Sequence, residues 1–73
     1  MASVYHPADF DVLVANNGRA ILQYFKSNPG NSIEACATSL SLPYGVVYVV
    51  AEGNGLRIVP SANGEIHWPV RKS

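Results

Sequence analysis

The chain has 73 residues, of which 48% are hydrophobic and 14% charged, and its formal net charge is zero at pH 7. This length fits one small domain with a single modest core, which we place at residues 8–70, with 1–6 and 71–73 as flexible tails. The hydrophobic content excludes an intrinsically disordered chain. Zero net charge argues against strong non-specific attraction to a polyanion.

Catalytic, metal and membrane signals are missing from the sequence. No apolar run approaches the roughly 18 residues of a membrane span, and a single cysteine, Cys36, makes no internal disulfide, so we expect a cytoplasmic protein. We interpret Cys36 as a core residue. No Cys/His spacing fits a zinc site, and His6 and His67 have no catalytic motif around them. We therefore expect no metal, no cofactor and no enzymatic activity.

Two short helices are predicted in the first half of the chain. Pro7 suits the first turn of a helix over residues 7–15, and its acidic start at Asp9 and Asp11 favours that end. The segment Asn16-Asn17-Gly18 then predicts a break, after which residues 18–28 form a second helix. The turn residues at 28–31 end it.

The next segment has the spacing of two helices joined by a tight turn. Ser32 is a competent N-cap for a helix over 32–40, and Ser41-Leu42-Pro43 forms the turn. A second helix is predicted over 43–52. Its valines and Gly45 are poor helix formers, so a buried strand over 46–50 is the alternative.

A β-hairpin is predicted over 56–70. Gly53-Asn54-Gly55 ends the preceding helix, residues 56–59 begin a strand, and Asn63-Gly64 is typical of a two-residue type I′ turn. Residues 65–68 return in alternation, and Pro69 limits the strand to a sheet edge. We expect Trp68 to pack the hairpin onto the core.

This order of elements resembles the winged helix-turn-helix family. The segment Asn16 to Leu22 is similar to the second helix of small repressors of the arsenic-sensor type, and residues 32–50 are similar to their DNA-reading pair. The stretch from Ile33 through the hairpin also resembles excisionase-type proteins of phages and mobile elements. The resemblance implies an α+β fold, three to four short helices followed by a β-hairpin wing. The thiolates of the metal sensors have no match beyond Cys36, which argues against metal sensing.

The resemblance also implies a partner, which would be double-stranded DNA bound by a homodimeric transcriptional or mobile-element regulator. Groove-facing positions would be Pro43, Tyr44, Gly45, Tyr48 and Val49. Phosphate contacts would come from four of the five basic residues, namely Arg19, Arg57, Arg71 and Lys72.

None of the groove-facing side chains can make the bidentate base contacts on which strong direct readout depends. An apolar, aromatic face of Tyr44, Tyr48 and Val49 is equally typical of a protein interface. The alternative function is therefore a winged-helix module for protein interaction or assembly. In a third interpretation, one or both tyrosines pack against the wing or the first helix.

Overall fold

The computed structural model describes residues 7–71 as three helices followed by a two-stranded antiparallel hairpin. The elements are α1 (Pro7–Ser27), α2 (Ile33–Leu40), α3 (Tyr44–Gly53), β1 (Leu56–Pro60) and β2 (His67–Arg71). This α+β architecture is compatible with a winged helix, and we call the hairpin the wing. The alternative strand over 46–50 is wrong, because that segment is helical. Among the described residues, no helix has the length and apolarity needed to cross a membrane.

α1 is one continuous helix, so the predicted break at residues 16–18 is wrong. The reason is local: Asn17 Nδ2 donates to the carbonyl oxygen of Leu13 at 2.9 Å, and this side chain therefore supports the helix rather than ending it. Gly18 does not adopt a positive φ. The apolar positions before and after the glycine also lie in one helical phase, since Val14 and Ile21 are seven residues, or about two turns, apart.

The α2–α3 turn forms as its sequence predicts. The side chain of Ser32 caps α2 by accepting a hydrogen bond from the backbone N–H of Ala35 at 3.0 Å. Ser41 has left-handed backbone geometry (φ 56°, ψ 45°). Its N–H donates to the Thr38 carbonyl at 3.3 Å, and the next N–H donates to the Ala37 carbonyl at 2.9 Å. These are the two hydrogen bonds of a Schellman motif, which ends α2 and turns the chain into α3.

The core lies between the three helices. Its buried side chains come from α1, α2 and α3 alone among the described residues: Ile21, Ile33, Cys36, Ala37, Val46, Val47, Val50 and Ala51. From the wing, Leu56 and Ile58 are half-buried and pack against this cluster. The wing is thus attached to the helical core along one face of β1.

The wing turn differs from the predicted type I′ turn. The strands end at the pair Pro60 and His67, which leaves a six-residue loop over 61–66. Gly64 has a positive φ of 74°, but Asn63 does not, whereas a type I′ turn needs both. The Asn63 Oδ1 atom instead accepts hydrogen bonds from the Ser61 hydroxyl at 2.6 Å and the Glu65 N–H at 3.0 Å.

β2 begins and ends later than the predicted strand over 65–68. Arg71, expected in a flexible tail, is its last residue and pairs with Leu56, while Pro69 pairs with Ile58. The predicted tails at 1–6 and at 72–73 lie outside the described residues. Paired residues share a face of the hairpin and neighbours alternate. Trp68, paired with Val59, therefore lies on the face opposite Ile58 and does not pack the wing onto the core.

Candidate interface on α3 and the wing

The exposed face of α3 carries Tyr44, Tyr48 and Val49, which we call the α3 face. Tyr44 is 37% exposed and Val49 43% exposed, while Tyr48 is half-buried. The two tyrosine rings are one helical turn apart, with centroids separated by 5.9 Å. The opposite side of the helix is formed by its buried valines. The structure thus brings together three of the predicted site residues.

Gly45 does not belong to this face, although it was predicted to point into a DNA groove. A Cβ atom placed on Gly45 would lie 3.3 Å from Cε2 of Phe10 in α1. The glycine therefore marks the close approach of α1 and α3. Its place in α3 is determined by helix packing.

The wing reaches the α3 face through His67. The Tyr44 and His67 rings meet edge to face, with centroids 5.6 Å apart. Glu34 of α2 fixes His67 twice: Oε1 accepts the His67 backbone N–H at 2.9 Å, and Oε2 lies 2.6 Å from Nδ1. The Glu34–His67 pair thus joins α2, the wing and the first turn of α3. Tyr44 thus packs against the wing, as the third interpretation of the sequence expected of one or both tyrosines.

The electrostatics of this cluster follow from its contacts. Burial is the largest single effect on Glu34, and it raises the pKa. The Glu34 carboxylate accepts hydrogen bonds from the His67 side chain, the His67 backbone and its own backbone, and the charge of His67 lies close to it. Together these four effects outweigh burial, so the net pKa of Glu34 is lowered. For Tyr44, burial is the main cause of a raised pKa, followed by the charge of Glu34 and by Tyr48. At neutral pH, Tyr44 therefore presents a phenol that can donate a hydrogen bond.

Within residues 7–71, the structure places no nucleophile beside the Glu34–His67 pair. Among the described residues, no hydroxyl or thiol is hydrogen-bonded to His67. Cys36 is fully buried, and burial raises the pKa of its thiol to about 11. No group of three or more His, Cys, Asp or Glu side chains within residues 7–71 is placed to hold a metal ion. The Glu34–His67 pair acts here as a tether between elements.

Two of the predicted phosphate contacts lie in a cleft that no residue of the α3 face lines. Arg19 and Arg71 line a separate cleft, together with Lys26, between the second half of α1 and the base of the wing. Arg57 is exposed on β1, on the wing face that also carries Val59 and Trp68. Lys72 lies outside the described residues.

Sequence reasoning missed Glu34 and His67 as site residues. They are 33 positions apart, and only the folded chain brings them into contact. No spacing or motif signals such a pair.

Comparison with protein-family models, with curated proteins and with solved structures finds no match to this chain.

Proposed function

We propose that this chain is a small winged-helix protein that binds double-stranded DNA, with the α3 face in the groove and Arg57 of the wing on a phosphate. The observation that carries the proposal is the presentation of Tyr44, Tyr48 and Val49 outward on a helix that follows a tight turn and abuts a wing. Tyrosine hydroxyls reach phosphates, and a valine can contact the methyl group of thymine. The role would be that of a dimeric regulator of transcription or of a mobile element, acting in the cytoplasm.

The composition of α3 limits how selective this binding is. Glu52 is the only charged residue of the helix, and α3 contains no Arg, Asn or Gln to read a base edge. Sequence preference should therefore be modest. The phosphate contacts should supply most of the affinity.

Fluorescence anisotropy with labelled duplexes, measured from 25 to 200 mM salt, tests this function. Arg57→Gln should weaken binding about equally across sequences and flatten the log–log salt slope by about 0.9. Lys26→Gln is the matched control, because it removes one exposed positive charge from the cleft rather than from the wing. The absence of any complex at low salt, or an unchanged slope in Arg57→Gln, would contradict the proposal.

A protein-interaction module is the second candidate, and one observation favours it. The α3 face is apolar and aromatic in a chain of zero net charge, as in the centre of a protein interface. In that case Tyr48→Ala should weaken self-association or partner binding by about 2 kcal/mol or more. Tyr48→Phe separates the two functions, since loss of the hydroxyl should weaken DNA binding but leave an apolar contact intact. Sedimentation of both variants measures the association.

A further inference from the structure

We propose that the cleft between the second half of α1, loop 28–31 and the base of the wing binds a small organic anion resembling a nucleoside phosphate. The cleft has a volume of about 880 Å³, within the range of small-molecule sites. Its walls come from three separate parts of the chain, which meet only in the folded protein. It is distinct from the α3 face, and it does not depend on the proposed DNA binding.

Charge in the cleft favours an anion. Arg19, Lys26 and Arg71 line it, and no carboxylate does. Within the described part of the chain, none of the three is paired with a carboxylate. The carboxyl ends of α1 and α3 also face the cleft, and each carries a partial charge of roughly −0.5, which leaves a net charge of about +2. Two of the three cations are arginines, whose planar guanidinium groups bind phosphate through two parallel hydrogen bonds.

The rest of the lining indicates what carries the anionic group. Leu22, Phe25 and Leu56 supply an apolar surface on which a ring can lie. Among the lining side chains, one amide N–H of Gln23 donates to the Ser27 hydroxyl at 3.1 Å, and one of Asn28 donates to the Tyr24 carbonyl at 3.0 Å.

A third lining amide repeats this arrangement, because Asn54 Nδ2 donates to the Val50 carbonyl at 2.7 Å. In each of these three amides the oxygen can accept a hydrogen bond from a ligand hydroxyl, and a second N–H can donate one. A phosphate, an apolar ring and hydroxyl groups together describe a nucleoside phosphate.

Titration of the ¹⁵N-labelled chain with AMP, followed by two-dimensional NMR, tests the site. Saturable shifts are expected at the backbone amides of Gly30, Asn31 and Gly55, which line the cleft. Adenosine and inorganic phosphate, each carrying half of the recognised chemistry, should bind at least tenfold more weakly. Arg19→Gln should weaken AMP binding about tenfold, because it removes a charge-assisted hydrogen bond.

Arg57→Gln is the control variant, since it removes an arginine of the wing outside the cleft, and AMP binding should not change. No saturable shift, or adenosine or phosphate binding as tightly as AMP, would overturn the proposal. A 16-bp duplex gives the remaining arm. If the duplex shifts the signals of the cleft amides and AMP does not, the cations of the cleft bind the DNA backbone and the small-anion site is refuted. If AMP shifts the signals of the cleft amides and the duplex shifts those of the α3 face, the two proposals are supported separately.

Discussion

Removal of the Glu34 carboxylate should loosen the wing from α2. Glu34→Ala deletes both hydrogen bonds to His67, at 2.9 Å and 2.6 Å. Hydrogen bonds to a charged group contribute about 1.5–3 kcal/mol each when buried, but these side chains are 33% and 28% exposed, which lowers the expected cost of both to about 1–2 kcal/mol. For a domain of this size, each kcal/mol lowers Tm by about 4–8 °C.

The pH dependence of the stability difference between wild type and Glu34→Ala gives a second measurement. The folded-state pKa of Glu34 is lowered from its ordinary value of 4.5, so its stabilisation is fully present above that value and is lost as the pH falls through the folded-state pKa. Urea unfolding of wild type and Glu34→Ala should therefore converge in acid. Glu65→Gln, at an exposed position on the wing loop, should change stability by less than about 0.5 kcal/mol. A Glu34→Ala cost that persists unchanged to pH 3 would refute the reasoning.

Three further predictions concern stability. Gly18→Ala should raise the free energy of unfolding by about 1 kcal/mol, because a Cβ there meets nothing within 4 Å and the residue lies inside α1. Gly30→Ala is the contrasting variant and should lower the free energy of unfolding, because Gly30 has a φ of 92°. If urea titrations show that Gly18→Ala is destabilising, the helix is broken at this residue. Ser41→Gly should raise the free energy of unfolding by about 1 kcal/mol, since glycine adopts the left-handed geometry of Ser41 without strain. An unchanged temperature of thermal unfolding would argue against that geometry. Cys36 should react with a thiol reagent only when the core opens, so its labelling rate should rise in urea with the unfolded population, and rapid labelling of the native chain would contradict its burial.

The two helices α2 and α3 and the turn between them were predictable because their signals are local. Ser32 and Pro43 immediately precede α2 and α3. The Ser32 side chain caps α2, whereas Pro43 makes no capping hydrogen bond with its side chain and has an extended backbone (φ −61°, ψ 143°). α3 forms despite its valines because tertiary burial of Val46, Val47 and Val50 outweighs their weak helix propensity.

The predicted break in α1 is wrong because it rested on the composition of residues 16–18 alone and ignored the helical phase of the apolar residues on either side. Asn and Gly are common in turns, but a turn would have shifted the apolar stripe on one side of Gly18 relative to the other. No such shift exists, and α1 runs through Gly18 without interruption. At the wing tip, Asn63 likewise uses its side chain as an acceptor instead of adopting the positive φ that the Asn-Gly pair suggested.

The candidate sites were only partly accessible from sequence. Tyr44, Tyr48 and Val49 share a face because of their spacing on one helix, which periodicity predicts. The cleft and the Glu34–His67 pair depend on contacts between distant segments. No pattern within one segment shows that Arg19 and Arg71 line the same cavity, 52 residues apart in the chain.

The wing contributes no fully buried side chain to the core of the described chain, so less buried apolar surface holds it in place than holds the three helices. Its backbone amides should exchange with solvent through a partial opening that leaves the three helices intact. Because Leu56, Pro69 and Arg71 form one wall of the cleft and α1 forms another, a molecule bound there would have to leave before the wing could detach. Occupancy would then slow exchange in the wing by the factor 1 + [L]/Kd, and the cleft would set how often the hairpin opens.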